Sequence, residues 1–190
     1  MPQKNKRWVL LAVTAAALAA AGCMPPNRTE FIEKLGFENR RIARSTRSFR
    51  SAIAPLSTGG AADAAGAHSA YNDMVKLVQD VKGEMAVQQL PPASSEESST
   101  AAKNLLQAYS DYLDKEQSIL DGPMKQILAQ VDDNTISNAD KANTVRHLMN
   151  DVRDQDDVAY RALNLAQQAY CNAHNYQFQT LDQYAAANKK

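Results

Sequence analysis

RTEFIEKLGFENRRIARSTRSFRSAIAPL, residues 28–56, decides the fold class. Leu35, Ile42, Phe49 and Leu56 recur at a strict interval of seven, and Phe31 and Ile53 fall on the same side. That spacing is one face of an α-helix. Asn27 stands three residues before Glu30, the pattern of a capping box, so a helix should begin there. Pro55 should end it, because proline offers no N–H and clashes with the preceding turn. Gly36 weakens its first turns by about 1 kcal/mol relative to alanine.

Working outward, the same reading repeats three times. Ser57-Thr58-Gly59-Gly60 is a loop, and the alanine-rich stretch to Ala67 is either a helical lead-in or a connector. Tyr71, Met74, Val75, Val78, Val81 and Met85 form a second stripe, stopped by Leu90-Pro91-Pro92. Ser94 to Thr100 reads as a polar link into a third helix, with Ala102, Leu106, Tyr109, Leu113, Leu120, Met124, Ile127 and Val131 as its face. Asp121-Gly122-Pro123 interrupts that face. Either the helix kinks there or a new one begins; the sevenfold phase of Leu106, Leu113, Leu120 and Ile127 runs through the break and favours the kink.

Ser137-Asn138-Ala139-Asp140 looks like the cap of a fourth helix, whose face is Val145, Leu148, Met149, Val152, Ala159, Leu163, Ala166 and Tyr170. The pattern persists loosely through Phe178, Leu181 and Tyr184. No short segment alternates apolar with polar, so strands have no candidate. The expectation is an all-α protein: an antiparallel bundle of about four amphipathic helices, with an elongated hairpin of curved helices as the alternative shape. A fourth helix of ~34 residues would be ~50 Å long.

The amino terminus follows a different rule. Lys4, Lys6 and Arg7 precede a 14-residue run, Trp8 to Ala21, which is apolar apart from Thr14 and too short to span a bilayer as a stable helix. Ala20-Ala21-Gly22-Cys23 closes the run and resembles the lipobox of bacterial lipoproteins, usually Leu-Ala-Gly-Cys; Ala20 stands where leucine is usual. The resemblance implies a signal peptide over residues 1–22, cleavage before Cys23, and diacylglycerol and N-acyl chains on Cys23. Met24, where aspartate would retain such a protein at the inner membrane, implies the periplasmic face of the outer membrane. Residues 23–27 are then a lipidated spacer, 28–184 the helical domain and 185–190 a tail. Trp8 is the only tryptophan, so cleaved protein should have no indole fluorescence.

The whole chain carries 21 basic and 21 acidic residues, and loss of Lys4, Lys6 and Arg7 leaves 18 against 21, formally −3. So mild a balance argues against nucleic acid, which needs a dominant basic face. Charge is nonetheless polarised: residues 23–60 hold seven basic and three acidic side chains, and residues 61–188 nine and eighteen. Arg40, Arg44 and Arg47 share one helical face beside Arg41 and Arg50, a basic patch that would meet anionic headgroups or an envelope protein partner. Alternatively they pair with acidic residues such as Asp151, Asp154, Asp156 and Asp157, or are solvated. The four aspartates lack an EF-hand loop spacing, and a solvated helix face is the simpler reading.

Cys171-Asn172-Ala173-His174 sets a thiol and an imidazole one turn apart, a spacing that suits Zn²⁺ or Cu⁺ if two further ligands join. His68 and His147 show no such tendency, and a buried Cys171 with an exposed His174 is the plainer expectation. The tyrosines at 71, 109, 160 and 170 lie on apolar stripes as core residues, with hydroxyls reaching the bundle surface. Glu-x-x-His pairs for a di-iron bundle, Cys-x-x-Cys-His for haem, Gly-x-Ser-x-Gly and phosphate-cradling glycine loops are all missing. The functional expectation is a non-enzymatic, lipid-anchored binding or structural module with no cofactor or resident metal. A small-ligand- or metal-binding module of the periplasm is the alternative.

Overall fold

The computed structural model describes residues 27–177 and Thr180. The signal-like segment, Cys23, most of the spacer, the tail, and the expected continuation at Phe178, Leu181 and Tyr184 lie outside the described residues. Helix α1 spans Arg28–Ile53, α2 Ala64–Ala86, α3 Glu96–Ile119, α4 Lys125–Asp132 and α5 Asn138–Ala173. Helices α3 and α4 form one continuous helical path, joined by a π-helical turn at Leu120–Met124. Counted so, the described residues form an all-α, up-and-down bundle of four helices.

Local chemistry sets each boundary. The Asn27 side chain accepts from the Glu30 amide at 2.8 Å and Glu30 reaches back to the Asn27 N–H at 3.1 Å, the reciprocal box expected of that pair. Pro55 does end α1, and the chain tightens into a 3₁₀ turn over Ala54–Thr58. Gly59 then takes a left-handed φ of 79°, which a side chain would disfavour. Asp63 caps α2 from Gly66 at 2.9 Å, so the alanine-rich stretch is helical from Ala64. Ser137 caps α5.

Helix α3 begins earlier than the polar link suggested. Ser95 accepts from the Ser98 amide at 3.1 Å, while the Ser98 hydroxyl accepts from the Ser95 amide and donates to its carbonyl. Two serines thus build the start, and Glu96 and Glu97 sit favourably at the positive end of the helix dipole.

Helix α1 lies against α2, and α5 against α3 and α4. The 36 residues of α5 span ~54 Å. Two apolar clusters fill the interior. One gathers Phe31, Leu35, Leu105, Tyr109, Leu113, Leu163 and Tyr170; the other gathers Phe49, Leu56, Met74, Val78, Leu120, Ile127 and Val152. The α1 stripe is buried as its spacing predicts. On α3 the phase is off by one at its start, where Leu105 is fully buried and Leu106 only partly so. The Tyr170 hydroxyl donates to the Arg28 carbonyl at 3.0 Å, tying the end of α5 to the start of α1.

Candidate functional site: a groove between the helical pairs

A groove of about 530 Å³ opens between the two apolar clusters, where α1 faces α3 and α5. Its origin is missing volume. Between Ile42 and Phe49 the α1 residues lining it are Ala43, Arg44, Thr46 and Arg47, none of which fills the gap with an apolar side chain. On the other side, the π-turn joins α3 to α4 at Leu120–Met124, and Leu120 and Met124 with Ile42, Ile119 and Val152 form the apolar floor. The helical path continues through Pro123, so no new helix begins there. A π-turn absorbs the hydrogen bond that proline cannot make, and such turns often mark functional positions.

Arg40, Arg44, Arg47 and Arg50 line one wall of the groove. Helical spacing groups the first three on one face; the structure brings Arg50 to the same wall. Arg44 and Arg47 are exposed, whereas Arg40 is half-buried with its guanidinium 6.0 Å from the Phe37 ring centroid. None of the four pairs with a carboxylate among the described residues. Arg41, one position along, points the other way and pairs with buried Glu38 at 2.6 Å and with Glu84 at 3.9 Å, beside Lys34–Glu84 at 3.7 Å. Burial raises the Glu38 pKa, with Arg41 opposing that shift.

Glu116 and Asp156 stand on the opposite wall beside Tyr112 and Tyr160. The two carboxyls are hydrogen-bonded to each other. Desolvation, then the Asp156 charge, pushes Glu116 up to about 8, so at neutral pH the pair holds a proton in common. Tyr112 donates a hydrogen bond to Glu116, and burial beside these acids raises its own pKa. Asp156 is therefore not part of a solvated aspartate face. Asp151, Asp154 and Asp157 are exposed as expected, and Asp154 meets Arg153 at 3.3 Å.

The signal for this pair was present in the pattern. Asp156 is seven residues from Met149 and from Leu163, and Glu116 is seven from Tyr109: each acid occupies a stripe position where an apolar residue is due.

Cys171 and His174 lie at the far end of α5. Cys171 is buried and unbridged, as expected. His174 is a correction: it is also buried, 7 % exposed, its ring centroid 4.4 Å from that of Tyr170 and 6.0 Å from that of Tyr176. The helix ends in a turn in which the amides of His174 and Tyr176 both donate to the Cys171 carbonyl, and that turn folds the imidazole inward. Desolvation, then the Arg28 charge, lowers its pKa. No cluster of three metal-ligating side chains occurs among the described residues, so this pair has no third ligand there. Two of the four tyrosines, Tyr109 and Tyr170, are fully buried. The Tyr170 hydroxyl is satisfied inside, by Arg28, and does not reach the surface. Among the described residues, no helix is long and apolar enough to cross a membrane.

Compared with protein-family models, with curated proteins and with solved structures, the chain matches none.

Proposed function

We propose that the chain is a lipid-anchored lipoprotein of the bacterial cell envelope and that its bundle is a non-enzymatic binding module, with the groove beside the π-turn as its binding site. The observation that carries the binding role is the groove's unmatched charge: four guanidinium groups beside an apolar floor, without carboxylate partners among the described residues. Arg40 Nε is shielded from solvent without a hydrogen-bond partner, and folded proteins rarely leave a buried donor unmet. The tether rests on Ala20-Ala21-Gly22-Cys23 and the basic and apolar segments before it. Two or three acyl chains at Cys23 anchor stably, since each buried CH₂ contributes about 0.8 kcal/mol. Met24 favours the outer membrane.

Metabolic labelling with palmitate, followed by fractionation and intact mass of the purified protein, tests the tether. The expected result is an acylated chain beginning at Cys23, without indole fluorescence, found with the outer membrane. A Cys23→Ala chain should take up no label. Label that survives that substitution, or mature protein that retains Trp8, overturns the reading.

A further inference from the structure

We propose that the groove binds an acidic amphiphile: a phosphate or carboxylate head on Arg40, Arg44 and Arg47, and a short apolar body along Ile42, Leu120, Met124 and Val152. This deepens the binding-module reading and rests on it.

The volume, about 530 Å³, falls in the range of small-molecule sites. Guanidinium forks match phosphate and carboxylate oxygens two at a time. Arg40 Nε is shielded from solvent and has no hydrogen-bond partner, a donor that a ligand oxygen would satisfy. A cationic occupant would meet the four arginines of α1, and a bare anion would make no contact with the apolar floor.

The opposite wall assists. While Glu116 and Asp156 share a proton they add one negative charge to the groove, not two, and offer an O–H. Facing Glu116 are Tyr112 on its own helix, Asp156 and Tyr160 on α5, and the arginines of α1 across the groove; α2 contributes uncharged Met74 and Leu77. Above about pH 8 the second carboxyl ionises and competes with the ligand head for the arginines.

The test uses the full chain in phosphatidylcholine nanodiscs, titrated calorimetrically with octyl phosphate, inorganic phosphate and octyltrimethylammonium, with empty discs subtracted. Octyl phosphate should bind one to one, and Arg44→Ala with Arg47→Ala should weaken it about tenfold or more, the loss expected for charge-assisted hydrogen bonds. Both arginines are exposed, and an unchanged melting curve verifies the fold of that variant. Inorganic phosphate should bind about tenfold more weakly for want of apolar contact. Affinity of the unaltered chain should fall from about pH 7 to 9.5, and Glu116→Gln should remove the fall.

Octyl phosphate binding that ignores the arginine substitutions overturns the proposal, as does inorganic phosphate binding equally well. If octyltrimethylammonium binds instead and Glu116→Gln abolishes it, the ligand class is wrong while the groove remains a binding site. If none of the three binds, the groove's binding role fails as well.

Discussion

Two regions of the bundle hold ionisable groups away from water, and they do so in opposite ways. Where α1 starts and α5 ends, Phe31 packs on Tyr170 with ring centroids 5.6 Å apart, Tyr170 packs on His174, and the helices close over an aromatic interior. Midway along, α3 and α5 bring Glu116 and Asp156 together, and α1 leaves a groove open beside them. The difference lies in what α1 brings. Phe31, Ile32 and Leu35 fill the closed end; Ala43, Thr46 and a row of arginines border the open one. A site here is made by withholding side-chain volume at inward positions, not by adding a motif.

The sharpest way to break that comparison is to hollow out the closed end. Tyr170→Ala removes a fully buried ring together with its hydrogen bond to Arg28, and should lower the urea-unfolding free energy by about 3–5 kcal/mol. A loss under about 1 kcal/mol, within the range of surface substitutions, would show that this end is not the closed core described.

The second test concerns the open end and pH. Because Glu116 titrates near 8 in the folded chain against 4.5 as a free side chain, the folded state holds a proton that the unfolded state releases between those values. Its stabilising effect is complete below pH 4.5 and is lost as pH rises through 8. Glu116→Gln should match the parent in acid and exceed it on the order of a few kcal/mol above pH 8, read from denaturant midpoints across pH. Parallel profiles would remove the buried acid pair.

The smallest effect belongs to His174. Its depressed pKa means the folded chain refuses a proton that the unfolded chain accepts below 6.5, so stability from this group is present above that value and falls away in acid. His174→Phe keeps the aromatic packing and should flatten the acid side of the same profile while leaving the alkaline side unchanged. The two groups thus pull in opposite directions across neutral pH, and each substitution should erase only its own limb.

Residue spacing made the helices legible because an amphipathic stripe repeats a local rule many times. Leu35, Ile42, Phe49 and Leu56 are buried as read, and the helical path through Pro123 followed from an apolar phase that crosses it. The start of α3 was misplaced because serines that look like linker serve as reciprocal caps at Ser95 and Ser98. His174 was misread for a similar reason: a turn stabilised by the Cys171 carbonyl redirects a side chain, and no periodicity encodes that. The groove was hidden for a third reason. Asp156 reads as one of four aspartates on a polar face although it holds the heptad position of Leu163 and Tyr170, and in the packed bundle that position lines the groove. Arg40, Arg44 and Arg47 were visible as a patch; that they border a cavity depends on residues more than sixty positions away.

The contact between the Tyr170 hydroxyl and the Arg28 carbonyl also has a mechanical meaning. It places the start of the first helix and the end of the last at one end of the bundle, with the turns after α1 and α4 at the other. If the chain is tethered just ahead of Arg28, tension between that tether and anything held by the carboxyl-terminal end loads the bundle as a zipper, one contact at a time. A load borne in shear would spread over the whole ~54 Å of α5 at once. The Tyr170–Arg28 bond is then the first to carry force, and the groove, farther along, opens only after the aromatic end has given way.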